Sequence, residues 1–279
     1  MSLDCFKHHI PRWGGKSDFG DKILNATEKF HYINTCTIDY YLLAMWLSTK
    51  LSNKILFDLK TKASTETILE IINAIERNNW NRAKTLWLFD FCRRNKDGSC
   101  IDHDTIHVKT ICTFGTEFNH FYKHVSFLQS VIIVEKCNLC NIDYSSQKTF
   151  EYFYLKRQEE KIILNIQDIA FCDKCEQMIE KKFNFVHGDP CWLICEIDTH
   201  LELTYDALPQ IINLNNKNYR LLCSSFNVDG KHFQSVFYLN KKCFLIDDMN
   251  IRNIPVVKDP LQNRIVTCFY CIFKIVNHK

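Results

Sequence analysis

Apolar residues between Thr37 and Tyr122 recur mainly at the spacing of an α-helix. In the segment after Cys36 they occupy one helical face, at Ile38, Tyr41, Leu42, Met45 and Trp46. Residues 65–77 and 79–91 repeat this spacing. The pattern therefore predicts a helical subdomain over residues 23–122.

The rest of the chain has the shorter period of β-strands. Over residues 123–185, apolar runs such as 131–134 and 162–166 alternate with polar turns. From residue 186 to 279 the pattern is typical of an antiparallel sheet, and Asp229-Gly230 between two apolar runs predicts a hairpin. Strands are predicted at residues 192–197, 220–226, 233–239, 243–246 and 265–276. Together the three regions predict one α+β domain over residues 1–279.

The composition of the chain indicates which partners and which cellular compartment to expect. The chain is 46% apolar and 24% charged, and its formal charge of +3 comes from lysines and arginines scattered among acidic residues. We therefore expect no nucleic-acid partner. There is no run of eighteen apolar residues to predict a membrane-spanning helix, and the first fifteen residues lack the apolar core of a signal peptide. The fifteen cysteines are then expected to be reduced, in the cytoplasm or nucleus, or inside a host cell if the protein is a delivered effector.

Cys36 lies immediately before the first strongly predicted helix. The N–H groups and the dipole of a helix N-terminus stabilise a thiolate, which is the nucleophilic form of cysteine. The same N–H groups can donate to the oxyanion that forms when a carbonyl is attacked. By position alone, Cys36 also suits a buried structural cysteine. It is therefore a candidate nucleophile only in combination with a base.

A candidate base and a candidate carboxylate lie on two consecutive predicted strands. His232 begins one strand just after the Asp229-Gly230 turn, and Asp247 ends the next. Antiparallel register brings the start of one strand beside the end of the next. A carboxylate beside Nδ1 of an imidazole fixes its tautomer and stabilises the imidazolium. Taken singly, His232 suits a surface turn and Asp247 a polar strand end, but their combination with Cys36 predicts a cysteine peptidase.

Two Cys-x-x-Cys pairs predict a metal site. Cys137 with Cys140, and Cys172 with Cys175, offer four thiolates in two knuckles, which is a ligand set of tetrahedral zinc. The long segment between the knuckles suits a β-ribbon. The alternative is two pairs of free, reduced cysteines. A third such pair, within residues 268–271, lies in an unbroken apolar run, where residues three apart face opposite sides of a strand, so we predict core packing for it.

The motifs around these residues resemble those of the ubiquitin-specific protease family. Asn34-Thr35-Cys36 followed by an apolar helix is similar to the family's Cys box. Gly230-x-His232-Phe233, followed by Asp247-Asp248, is similar to its His box. The resemblance implies a papain-like hand fold, with residues 23–122 as a helical thumb, 123–185 as zinc-ribbon fingers and 186–279 as an antiparallel β palm.

The resemblance also implies a role for each residue of the candidate site. Cys36 would be the nucleophile and His232 the general base and acid. Asp247 would orient the imidazole, and Asp248 would be a supporting carboxylate. The cysteines of the two knuckles would hold one structural Zn²⁺, and no catalytic cofactor is implied.

The chain departs from the family pattern at several positions. Ile33 stands for the usual glycine, Thr37 for an aromatic residue and Phe233 for a tyrosine. The family carries an oxyanion-hole asparagine five residues before the cysteine, where this chain has His31, so the candidate donors are His31 and Asn34. These differences resemble the related SUMO isopeptidase branch and the related peptidases of mobile elements more than the mainstream enzymes.

The implied activity is hydrolysis of the bond after the C-terminal Gly-Gly of ubiquitin or a ubiquitin-like protein, through a thioester on Cys36. The expected partners are the modifier and its conjugates, with no membrane partner, and the chain is expected to be a monomer. A SUMO-specific isopeptidase is the nearest alternative. A papain-type enzyme is disfavoured, because it needs a glutamine just upstream of the nucleophile and the first glutamine here is Gln129. An inactive modifier-binding zinc module and a zinc-ribbon nucleic-acid binder are the alternatives from other classes.

Overall fold

The computed structural model describes residues 3–17, 29–61, 65–92, 108–143, 148–150, 153–158, 161–164, 171–197, 207–251, 254–257 and 265–273. The helices are α1 Leu3–His8, α2 Cys36–Leu51, α3 Asn53–Thr61, α4 Glu66–Glu76, α5 Trp80–Thr85 and α6 Lys123–Val125, with π-helical turns at Leu86–Phe91 and Phe118–Tyr122 and a 3-10 turn at Ser126–Gln129. The strands are β1 Gly15–Lys16, β2 Lys29–Ile33, β3 Val108–Cys112, β4 Val131–Cys137, β5 Ile142–Asp143, β6 Lys148–Phe150, β7 Phe153–Gln158, β8 Lys161–Leu164, β9 Glu180–Phe185, β10 Trp192–Ile197, β11 Ile211–Leu214, β12 Lys217–Val228, β13 His232–Leu239, β14 Lys242–Ile246, β15 Val256–Val257 and β16 Ile265–Phe273. The fold is therefore mixed α+β. None of the described helices has the length and apolarity that crossing a membrane requires.

The chain divides into two compact units. The first contains Met1–His124 and Leu222–Asp259, and the second contains Val125–Leu221 and Pro260–Lys279. Each strand predicted from the sequence lies within an observed strand, except that residues 165–166 and 274–276 lie outside the described residues. The candidate nucleophile, base and carboxylates belong to the first unit, and the two cysteine knuckles belong to the second.

Helix α2 begins at Cys36 and is buried on every side. All residues from Cys36 to Thr49 are buried, whereas the sequence predicted a single apolar face. The difference arises because α3, α4, β13 and the turn Phe118–Tyr122 all pack against this helix. The hydroxyl groups of its polar residues Ser48 and Thr49 donate hydrogen bonds to backbone carbonyl oxygens one turn earlier. These buried hydroxyl groups therefore have hydrogen-bond partners without water.

The other predicted helices are observed with one change. Helix α4 matches the prediction for residues 65–77, but the predicted helix over residues 79–91 is divided into α5 and the π-helical turn Leu86–Phe91. In that turn Trp87 is fully buried and stacks on Phe121, with ring centroids 4.5 Å apart. The region predicted to be helical also contains β3, a strand rich in β-branched residues, which pairs in parallel with β2.

Two antiparallel hairpins of the first unit determine where the His box lies. Val228 of β12 pairs with His232 of β13, so the connecting turn has three residues, of which Asp229 and Gly230 have φ values of 52° and 70°. Strands β13 and β14 are joined by Asn240-Lys241, whose positive φ values suit a tight two-residue hairpin. The two turns together place His232 at the beginning of β13 and Asp247 just after β14.

The second unit contains two groups of paired strands. Strand β4 pairs with β5, β6 and β9, each in antiparallel orientation, while β10 pairs with β16 and β7. The sequence predicted an antiparallel sheet from residue 186 onward. Strand β7 comes from the preceding region and pairs with β10 in parallel, an arrangement between distant segments that no turn signal marks. Cys268 and Cys271 of β16 are both buried, as core packing predicts.

Candidate active site and metal centre

Cys36 is placed at the start of helix α2 by the segment that precedes it. Strand β2 ends directly before Asn34, whose φ of 57° lies in the left-handed region that asparagine tolerates. Thr113 Oγ1 donates a hydrogen bond of 2.7 Å to the carbonyl oxygen of Asn34. The carbonyl oxygen of Thr35 then accepts the first N–H groups of the helix. The thiol therefore lies where helix N–H groups can serve a thiolate or an oxyanion.

The sulfur of Cys36 is buried beside the start of β13. The backbone N–H of Phe233 donates to Sγ, so the sulfur lies next to the residue that follows His232 in the chain. Burial raises the pKa of the Cys36 thiol to about 12. Nearby carboxylates, among them Asp248, act in the same direction, while the Phe233 N–H opposes them. The thiol is therefore protonated at neutral pH in this conformation.

His232 and Asp247 are in contact. Nε2 of His232 lies 3.0 Å from Oδ1 of Asp247. Ser235 pairs with Ile246, so the next residue along, Asp247, comes opposite Gln234 and diagonal to His232. The sequence predicted the contact but assigned it to Nδ1, whereas the structure uses Nε2. When Nε2–H donates to the carboxylate, Nδ1 is the nitrogen that can accept a proton.

Gln234 holds the Asp247 carboxylate in place. Its Nε2 donates to Asp247 Oδ2 at 2.9 Å, and the backbone N–H of Met249 donates to Oδ1 at 3.0 Å. Both oxygens of the orienting carboxylate therefore have donors of their own. The sequence pattern did not identify Gln234, although its position two residues after His232 puts both side chains on one face of β13.

Asp248 belongs to a buried polar network. Its Oδ1 lies 3.0 Å from Tyr40 Oη and 3.6 Å from His232 Nε2. Burial, together with the charge of Asp39, raises the pKa of Asp248 to about 8. Asp39 accepts a hydrogen bond of 3.0 Å from Lys84 Nζ, and both side chains are fully buried. Apart from Asp248, these residues carry no motif, and only the helical spacing of Asp39 and Tyr40 from the nucleophile hints at them.

The two candidate oxyanion donors lie at different cavities. Asn34 lines a narrow cavity of about 30 Å³ together with Cys36 and two glycines, Gly115 and Gly230. His31 lines a separate groove of about 850 Å³. The alternation of β2 explains the separation, because its buried residues alternate with exposed ones and His31 is exposed. The structure therefore brings Asn34, and not His31, to the cavity of the nucleophile.

The cysteines of the two knuckles converge on one point. All four sulfur atoms lie within 4.8 Å of one another; the Cys137–Cys175 pair is separated by 3.5 Å and the Cys140–Cys172 pair by 4.0 Å. Thiolates bound to a tetrahedral zinc at about 2.3 Å lie roughly 3.8 Å apart. The cluster is therefore compatible with a structural zinc ion.

The two knuckles have the same backbone conformation just after the second cysteine. The residue after the second cysteine, Asn141 in one knuckle and Glu176 in the other, has a φ of 52° or 56°. In the first knuckle the N–H of Cys140 donates to Cys137 Sγ at 3.4 Å. Ile179 is buried against the four cysteines. A metal ion held by all four cysteines would have no open position for a substrate.

Comparisons with known proteins identify a family and a similar solved structure. The family described as dopamine receptor-interacting protein 1 matches residues 5–272. No curated protein matches the sequence. Among solved structures, the chain is similar to the papain-like protease of MERS coronavirus, with a TM-score of 0.44 and 11% sequence identity over 91% of this chain and 67% of that chain. A likeness of this size assigns no activity.

Proposed function

The chain belongs to the dopamine receptor-interacting protein 1 family, and we propose that it is a cysteine peptidase with Cys36 as its nucleophile. One observation carries the proposal. His232 contacts Asp247, and the next residue of the same strand, Phe233, donates its N–H to the sulfur of Cys36. A thiol, an imidazole and a carboxylate from distant parts of the chain thus belong to one unit, which supports a nucleophilic mechanism.

The geometry supports a thioester mechanism. Because the pKa of the Cys36 thiol is raised to about 12, its proton passes to Nδ1 of His232 as the sulfur attacks, and no thiolate forms beforehand. Asp247 stabilises the resulting imidazolium. The N–H groups at the start of α2 and the Asn34 amide donate to the oxyanion. His232 then protonates the leaving amine and afterwards activates the water that hydrolyses the thioester.

The proposed substrate is the bond after the C-terminal Gly-Gly of ubiquitin or a ubiquitin-like protein. The resemblance of the Cys box and the His box supports this substrate. The cavity beside Cys36 supports it as well, because it is small, with a volume of about 30 Å³, and is lined by Gly115 and Gly230. A cavity of that size suits a residue without a side chain. A SUMO-specific isopeptidase would use the same chemistry.

The four-cysteine cluster is proposed to hold one structural Zn²⁺. The sulfur separations and the all-cysteine donor set support this ion. Its contribution would be to join the end of β4 to the second knuckle. No step of the proposed reaction passes through it.

Ubiquitin and SUMO probes that carry a C-terminal electrophile test the peptidase proposal. We expect one of them to label Cys36, and we expect Cys36→Ala to abolish the labelling. Cys5→Ala, at an exposed position, is the matched control and should be labelled like the wild type. Labelling by SUMO alone would assign the modifier to SUMO. If no modifier probe labels the folded protein, the peptidase proposal is wrong.

The raised pKa of the Cys36 thiol favours a second candidate, an inactive module that binds the modifier without cleaving it. Such a module would bind ubiquitin or SUMO in a calorimetric titration, and Cys36→Ala would bind with the same affinity. Binding without any probe labelling would replace the peptidase proposal with this one.

A further inference from the structure

Two buried carboxyl groups are in contact beside the candidate nucleophile. The side chains of Asp39 of α2 and Asp248, which follows β14, interact with each other. Among the described residues, no donor forms a hydrogen bond with Asp39 Oδ1 or Asp248 Oδ2, and both atoms are buried. Two carboxyl oxygens can form a hydrogen bond only when one of them carries a proton. A single proton between the two groups would therefore give each of these buried atoms a partner.

The remaining oxygen of each carboxyl group has polar partners of its own. Asp39 Oδ2 accepts from Thr35 Oγ1 at 2.7 Å and from Lys84 Nζ at 3.0 Å. Asp248 Oδ1 lies 3.0 Å from Tyr40 Oη, whose hydroxyl group also donates to the carbonyl oxygen of Phe233 at 2.7 Å. The second oxygen of each group is the buried one that has no donor among the described residues.

We propose that Asp39 and Asp248 share one proton, and that this pair limits the negative charge beside Cys36. The role in catalysis rests on the proposed peptidase function, while the shared proton does not. Lys84 forms a buried ion pair with Asp39, so a single shared proton balances the charge of Lys84 and the two carboxyl groups. Two ionised carboxylates would leave an uncompensated charge in a buried site.

Burial and electrostatics support the same protonation state. Burial and the charge of Asp39 raise the pKa of Asp248 to about 8, and burial also raises the pKa of Asp39, where Lys84 opposes it. Below about pH 8 Asp248 is therefore neutral, and the carboxyl group in contact with His232 Nε2 at 3.0 Å is that of Asp247. The charged and titratable groups that face Asp248 are Asp39, Tyr40 and Cys36 of α2, Lys84 of α5, and His232 of β13.

Infrared spectroscopy of the full chain tests the shared proton, because a buried carboxylic acid has a C=O band that a carboxylate lacks. At about pH 6.5 we expect this band in the wild type and its loss in both Asp248→Asn and Asp39→Asn, since an asparagine amide can donate to the remaining carboxylate. Asp143→Asn, at an exposed position, should keep the band. Absence of the band from the wild type, or its survival in either variant of the pair, overturns the proposal. Asp248→Asn keeps the Lys84–Asp39 ion pair and provides the test even where Asp39→Asn does not fold.

The pH profile of Cys36 alkylation tests whether the pair limits the negative charge beside the thiol. The rate of reaction with iodoacetamide is followed by mass spectrometry of the Cys36 peptide at about pH 7 and about pH 9. Ionisation of Asp248 over this range disfavours the Cys36 thiolate in the wild type, so the ratio of the rate at the higher pH to the rate at the lower pH should be about threefold larger in Asp248→Asn, the effect of about half a unit in thiol pKa. Equal ratios overturn this role of the pair. The reaction needs no modifier, so a changed ratio without probe labelling would remove the peptidase proposal and leave the proton pair.

Discussion

Asn34, beside the candidate nucleophile, has a backbone property and a side-chain property that both bear on the site. Its backbone has a φ of 57°, which turns the chain from β2 into α2, and its Nδ2 donates to Cys112 Sγ at 3.1 Å. An amide N–H so close to the nucleophile can donate to an oxyanion. His31 has a comparable donor but lines the larger groove.

Replacement of Asn34 by glycine separates these two properties. Asn34→Gly keeps the left-handed backbone and removes the amide, so we expect kcat on a modifier substrate to fall on the order of 10²-fold with little change in KM. His31→Ala is the matched control and should keep nearly all activity. Full activity in Asn34→Gly would assign the oxyanion to the helix N–H groups alone.

At the scale of elements, helices α2 and α5 are joined by the buried Asp39–Lys84 ion pair. Lys84 Nζ also donates to Thr35 Oγ1 and to the backbone carbonyl oxygens of Arg12 and Gly14, so this one side chain joins α5 to two other segments. A buried pair of this kind stabilises little against an apolar replacement, but the loss of one partner leaves a buried charge.

Lys84→Met should therefore lower the free energy of unfolding by about 3–5 kcal/mol, measured by urea denaturation. The double variant Lys84→Met with Asp39→Leu should recover much of this loss, because no charge is left unpaired. Lys54→Met removes a partly exposed ion pair with Asp58 and should cost no more than about 1 kcal/mol. Equal losses in the two single variants would contradict the role of the buried pair.

Asp248, which follows β14, makes the free energy of unfolding depend on pH. Its pKa is raised from 3.8 to about 8 in the folded state, so the native protein keeps a proton that the unfolded chain releases above about pH 4. The stabilising contribution of this proton is complete below pH 4 and is lost as the pH rises towards 8. Asp248→Asn does not titrate, so its unfolding free energy relative to the wild type should increase from pH 5 to pH 8 in urea melts. A constant difference over this range would show that Asp248 ionises normally.

At the scale of the whole molecule, the second unit has a four-cysteine cluster in addition to its apolar core. Only two of the four cysteines, Cys137 and Cys172, are fully buried, and Ile179 is the apolar residue packed against them. So small a cluster contributes little hydrophobic stabilisation, and a bound metal ion would supply further stabilisation of the folded state.

We expect about one zinc per chain by elemental analysis, with loss of the metal and a lower Tm after treatment with a strong chelator. Cys140→Ser should lose the zinc, whereas Cys5→Ser should keep it. A chain that is metal-free and unchanged in Tm would leave the knuckles as two pairs of reduced cysteines.

The sequence predicted most strands and the start of α2, because each depends on neighbours along the chain. Strand period and turn residues predicted the two hairpins, and antiparallel register then predicted the contact of His232 with Asp247, which the structure contains. The predictions were wrong where distant segments intervene. Helix α2 is buried on all sides, and the region predicted to be helical contains the parallel pair of β2 with β3. The parallel pair of β7 with β10 was not predicted.

By itself, the sequence determined the local elements and the residue types of two motif-marked clusters, since residue spacing decides which side chains share a face or a turn. Only the tertiary structure decided that Asn34 and not His31 lines the cavity of Cys36, that Gln234 holds Asp247, and that Lys84 and Tyr40 complete a buried network around Asp39 and Asp248. The cavity and the buried network are formed by segments far apart in the chain, for which no spacing rule exists. Burial, which sets the charge of the Cys36 thiol and the Asp248 carboxyl group, exists only once those segments have packed.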